Sequence, residues 1–190
     1  MKKKGLIIVI AVVAIIVLLI GSIIGSYNEL VEDREEVVAA QSAISVQLQR
    51  RADLIPNFVN TVKGYTDYEQ STYTAVTTAR AAVQNANGAT EQAEASNQLD
   101  RAIDIWVNAV TEAYPDLKAN TQFTALQDEL AGTENRIAVA RRDYNEDARE
   151  YNTEIKKFPR SILAGIFGFQ AFDYFEAKAG TENVPQVSFD

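Results

Sequence analysis

The 190-residue chain contains no cysteine and no histidine, which excludes disulfides and thiolate chemistry and removes the commonest general base and metal ligand. At 47% hydrophobic and 23% charged residues it has the material for a folded core. A formal net charge of −8 argues against a nucleic-acid partner.

Lys2, Lys3 and Lys4 precede "GLIIVIAVVAIIVLLIGSIIG", residues 5–25, a run with no charge in it. At about 1.5 Å per residue it reaches roughly 31 Å, close to a hydrocarbon core about 30 Å thick. Its leucines, isoleucines and valines, at about −0.3 to −0.6 kcal/mol each, favour insertion by roughly 5–9 kcal/mol. A cleaved signal peptide fits less well, because the run is too long and "GSIIGSYNEL" offers no small-x-small cleavage site. The stretch therefore predicts an uncleaved transmembrane anchor. Three lysines before it, against Arg34 alone soon after it, place the amino terminus in the cytoplasm and the following domain across the membrane. Gly21 and Gly25 put small residues one turn apart on one face, the spacing at which two spans approach closely and self-associate.

Beyond the anchor, proline occurs only at positions 56, 115, 159 and 185, and strict alternation of apolar and polar residues is rare, so helices are expected. Tyr27, Leu30, Val37, Ile44, Leu48 and Ile55 share one heptad register, with Arg34 and Gln41 in two of its seats. The first helix is expected to leave the membrane without a break. Its end is open: either Asp53 caps a new helix with Pro56 in its first turn, or Pro56 only kinks the first helix. In the second case Gly64 ends it and Thr66-x-x-Glu69 boxes the next. The second helix then runs to about Gln84 and buries Tyr73, Val76 and Val83. Thr90 is the expected cap of the third, whose face carries Ala95, Leu99, Ile103, Trp106 and Val110. Asn120 is the expected cap of the fourth.

In that fourth helix Phe123, Leu130, Ile137, Tyr144, Tyr151 and Phe158 recur every seven residues, with Leu126, Ala140 and Ile155 beside them. The dense stretch "ENRIAVARRDYNEDAREYN" is thereby read as the middle of a packing seam. Its charges, among them Glu134, Arg141, Arg142, Asp143, Asp147, Arg149 and Glu150, are expected on solvated faces. The next stretch, "FPRSILAGIFGFQAFDYF", residues 158–175, has only Arg160 and Asp173 charged. It either folds back to cap the bundle or offers Phe158, Ile162, Ile166, Phe167, Phe169 and Phe172 to lipid or a neighbouring subunit. The tail is expected to be extended, with alternating Val184, Val187 and Phe189.

Catalytic constellations are scarce. A carboxylate-bridged metal bundle needs Glu-x-x-His pairs, and no acidic loop has calcium-binding spacing. No phosphate-cradling glycine loop, dinucleotide fingerprint or nucleophile elbow is present. No cofactor is therefore expected. A carboxylate hydrolase using Glu69 or Glu134 is the weakest reading.

Taken together, "YNELV" at Tyr27, "QRRADLIPNFVNTVKGY" at Gln49, "AYPDLKAN" at Ala113, "TENRIAVARRDYNEDAREYN" at Thr133 and "FP" at Phe158 make the chain similar to the LemA family of bacterial membrane proteins. Residues 74–108 match only in pattern. The resemblance implies an antiparallel helical bundle on a membrane anchor and transfers no catalytic residue. On it, the elements around Arg142, Tyr144, Asn145, Tyr151 and Asn152 are structural marks. Members often carry a histidine just before the position of Glu69; Tyr68 stands there instead. Family accounts have at times put the domain in the cytoplasm, whereas the lysines here favour the opposite side.

The expected molecule is all-α. A transmembrane helix (residues 1–26) continues into an elongated antiparallel bundle of about four helices (27–157), followed by an apolar segment and tail (158–190). Its expected role is a non-enzymatic scaffold that contacts membrane lipid, forms a homo-oligomer and organises membrane-protein partners. The runner-up is a ligand sensor with a pocket beside Trp106.

Overall fold

The computed structural model describes residues 2–63 and 70–176. Gly64, the Thr66 to Glu69 box, Tyr68 and the tail valines and phenylalanine lie outside the described residues. Among those described, every regular element is helical: α1 (Lys2–Lys63), α2 (Gln70–Asn85), α3 (Gly88–Ala113), a 3-10 turn (Pro115–Ala119), α4 (Thr121–Glu154) and α5 (Arg160–Phe167). The all-α expectation holds. The chain divides into two compact units, one from Met1–Ala39 with Glu146–Phe172, the other from Ala40–Asn145 with Asp173–Asp190.

Helix α1 runs through Pro56, so Asp53 does not open a new helix. Proline has no N–H to give to the carbonyl four residues back, here that of Ala52, which is buried. The missing donor comes from α2: the Arg80 Nε–H donates to the Ala52 carbonyl at 2.8 Å. Arg80→Met should orphan that carbonyl and cost about 1–3 kcal/mol in thermal unfolding; an unchanged midpoint would contradict the role.

In the second unit the helices alternate in direction. Ser45, Arg51 and Phe58 of α1 meet Gln92, Asp100 and Trp106 of α3, both series ascending. Lys63 and Ala52 meet Tyr73 and Arg80 of α2, and Phe58 and Arg50 meet Phe123 and Glu129 of α4, so those pairs run antiparallel. The seam residues Ile44, Leu48, Ile55, Phe123, Leu130, Ile137 and Tyr144 are all buried. In the first unit Leu30 and Val37 of α1 are buried, as are Tyr151 of α4, Ile155 beyond it, and Leu163 of α5.

Local expectations differ in places. Asn87, not Thr90, precedes α3; its N–H is accepted by Glu91 Oε2 at 3.0 Å, so a carboxylate one turn on does the capping. Asn120 caps α4 as expected, its Oδ1 accepting from the Gln122 and Phe123 N–H groups at 2.9 and 3.0 Å. Tyr73 and Val110 are half-buried rather than core. The seam stops at Tyr151: α4 ends at Glu154, because Pro159 supplies no N–H to prolong it, and Phe158 is 83% exposed.

Candidate functional site

The first unit carries the distinctive surface. In α5, Leu163 and Ala164 face inward while Ile162, Ile166 and Phe167 are 54%, 69% and 54% exposed, and Phe158, just before the helix, is exposed as well. Gly168 closes the helix in the left-handed region at φ 73°, which a side chain would strain. The Phe169 N–H then donates to the Ala164 carbonyl at 3.0 Å. That turn brings Phe169 back onto α1, where Tyr27 has ring centroids 4.8 Å from Phe167 and 5.7 Å from Phe169. Arg160, the only charge in α5, bonds Glu154 at 2.5 Å and also Glu29 of α1. The Lys157 hydrogen bond and Arg160 hold the Glu154 carboxyl below its ordinary range, against the opposing effect of burial. Phe172, grouped by sequence with the exposed set, is half-buried and turned onto Tyr151 at 5.3 Å between centroids, because Asn152 holds its backbone there.

The Tyr-Asn pairs of α4 explain the dense motif. Asn152 acts as a piece of strand: its Nδ2 donates to the Phe172 carbonyl and its Oδ1 accepts the Phe172 N–H, both at 2.8 Å. In the second unit Asn145 does the same to Phe175, both at 2.9 Å. Tyr144 packs edge-on to the Phe175 ring, and its hydroxyl donates to the Asp173 carbonyl at 2.9 Å. Through these residues the motif straps the segment that follows α5. Burial, with Asp173 and Tyr174 nearby, pushes the Tyr144 phenol up to about 12 from 10.0. A raised folded-state pKa gives stability that is complete below the unfolded value and lost as pH rises. Alkaline titration should therefore erode the fold progressively between pH 10 and about 12. Tyr144→Phe should remove that part of the loss, and an unchanged alkaline slope would contradict it.

Sequence reasoning missed a buried ionic layer in the second unit. Arg51 of α1, its side chain 7% exposed, lies 2.7 Å from Asp100 of α3, itself 5% exposed, and also bonds Glu134 of α4. Arg141 stands by, half-buried, feeling the Asp100 charge. Burial pulls the Arg51 pKa down while Asp100 and Asp104 push it back up; a guanidinium keeps its proton regardless. Glu134 and Arg141, expected on solvated faces, belong instead to this layer. The signal was legible: Arg51 lies between Leu48 and Ile55 on the apolar stripe of α1, and Asp100 between Ser96 and Ile103 on that of α3.

Other candidate positions are less enclosed. Nothing lies within 4 Å of where a Cβ would stand on Gly21 or Gly25. Trp106 is 1% exposed and packed edge-on against Phe58, so the expected pocket beside it is filled. A mainly apolar groove of about 390 Å³ lies elsewhere in that unit, lined by Ala40, Ala43, Gln47, Val139 and Ala140 with Asn135, Arg136 and Asp143. Among the described residues no three His, Cys, Asp or Glu side chains converge as metal ligands.

The residues 6–24 of α1 are exposed wherever they are large and apolar, up to 73% at Leu18, and the helix is long and apolar enough to cross a membrane. Magnetosome protein MamQ 2 of Paramagnetospirillum magneticum is 29% identical over 188 residues, which cover 86% of this chain and 69% of that protein. Protein LemA of Metamycoplasma hominis is 30% identical over 142 residues, 74% of this chain and 64% of that one. Magnetosome protein MamQ of Magnetospirillum gryphiswaldense is 25% identical over 200 residues, 90% of this chain and 74% of that one. The LemA family model matches residues 40–189, which take in the ionic layer, both Tyr-Asn straps and α5. The chain belongs to the LemA family.

Proposed function

We propose that this chain is a membrane-anchored helical scaffold that self-assembles and organises membrane or partner proteins, without catalysing a reaction. The observation that carries the reading is the uncovered apolar stretch of α1, which gives a span whose faces are free for lipid and for a second copy. The names LemA and magnetosome protein specify no reaction, which suits a non-catalytic role. Gly21 and Gly25 supply the close-approach face between spans.

The test is energy transfer between donor- and acceptor-labelled copies in phosphatidylcholine vesicles. Transfer should survive dilution with lipid and fall in Gly21→Ile with Gly25→Ile, which keeps the helix and its apolarity. Loss of transfer on dilution of the unaltered chain would sink the reading. On the lysines we place the domain outside the cytoplasm; full protection from protease added to intact cells would overturn that placement. The alternative, a ligand sensor, draws on the apolar groove at Ala43 and Val139. It would gain ground only if an apolar probe bound there at a saturable site.

A further inference from the structure

Two features of the first unit converge. The open face of α5 is a contiguous apolar surface, and residues 161–172 contain no charge. That face sits at one height on α1: Tyr27 touches Phe167 and Phe169, and Glu29 holds Arg160. The apolar run of α1 ends at Gly25. At about 1.5 Å per residue Tyr27 stands roughly 3 Å and Glu29 roughly 6 Å beyond that end, within the interfacial layer of about 5–7 Å on each side of the hydrocarbon core.

We propose that α5 is an interfacial helix, with Phe158, Ile162, Ile166 and Phe167 seated in the lipid headgroup and upper acyl region beside the point where α1 leaves the bilayer. The inference rests on residues 5–25 spanning the membrane and deepens the scaffold reading by giving the chain a second lipid contact. A second copy of the chain is the competing occupant. Position decides against it, since the patch lies at the depth where an apolar face meets lipid whether or not another copy is present. The inward side of α5 explains its orientation: Arg160 is consumed by Glu29 and Glu154, so no charge resists burial of the outer face. With no basic residue on that face, attachment depends on apolar burial and not on anionic lipid.

The chain has no cysteine, so single cysteines report single positions. The full-length protein is reconstituted into phosphatidylcholine vesicles with an environment-sensitive fluorophore at Ile166→Cys, Ile16→Cys or Glu35→Cys. Ile16 lies in the span, and Glu35 is an exposed α1 residue about 15 Å beyond Gly25. Lipids carrying quenchers both in the upper acyl chain, for the Ile166 depth, and near the chain terminus, for the Ile16 depth, are then added. The Ile166 and Ile16 probes should emit to the blue and lose most of their intensity, while the Glu35 probe keeps its intensity. The Ile166 result should not change when phosphatidylglycerol replaces part of the phosphatidylcholine. An unquenched Ile166 probe beside a quenched Ile16 probe overturns the interfacial helix and leaves the span standing. A blue-shifted but unquenched Ile166 probe that reddens when protein is diluted assigns the face to a second copy and likewise overturns it. Absence of quenching at Ile16 removes the span and this inference together.

Discussion

Replacing Arg51 by methionine is expected to destabilise the second unit by about 4 kcal/mol, within the range for breaking a buried ion pair. The loss would come less from the missing attraction than from the desolvation of Asp100, 5% exposed, once the guanidinium 2.7 Å from it is gone. Glu134, at 37% exposure, can turn to water and adds less. Unfolding of the detergent-solubilised chain, followed by far-ultraviolet circular dichroism, measures it. The double variant Arg51→Met with Asp100→Leu should recover most of the loss, because two packed apolar side chains replace two desolvated charges. Equal losses in single and double variants would show that packing volume, not charge pairing, governs the site.

Phe58→Ala should cost about 3–5 kcal/mol, the range for truncating a large buried aromatic. Phe58 is completely buried, stacked on Phe123 at 5.0 Å and edge-on to Trp106 at 5.1 Å, so it joins α1, α3 and α4 through one ring. Trp106 is the only tryptophan, and its fluorescence gives a local readout. Its emission should move to the red in Phe58→Ala and stay near that of the parent in Phe58→Leu. A fully blue Trp106 in the alanine variant would mean that neighbours collapse into the space.

The repeating part of this fold was legible in the sequence. Leu30, Val37, Ile44 and Leu48 on α1, and Leu130, Ile137, Tyr144 and Tyr151 on α4, are buried because a seven-residue repeat keeps one helix face turned to its partners. What escaped depends on residues distant in sequence. The passage of α1 through Pro56 was undecidable locally, since the compensating donor is Arg80 on another helix. The asparagines at 145 and 152 are structural marks by family resemblance alone, with no partner named; each spends both ends of its amide on a backbone segment beyond α5. The charges at 51 and 100 broke the apolar pattern in two helices with opposite signs, a cue that a pairwise comparison of helix faces would have caught.

The segment from Phe158 to Phe175 resolves into two behaviours that composition alone cannot separate. Phe172 and Phe175 turn inward because Asn152 and Asn145 hold their backbone against α4. Phe158, Ile162, Ile166 and Phe167 stay open because the buried side of α5 is occupied by Leu163, Ala164 and the Arg160 ion pairs.

The central claim, self-assembly on a membrane anchor, is tested most directly by the mass of the detergent-solubilised protein. Size exclusion with light scattering would compare the full chain with residues 27–190. A defined multimer of the full chain, reduced or lost without the anchor, is the predicted result. A monomer in both would contradict the scaffold.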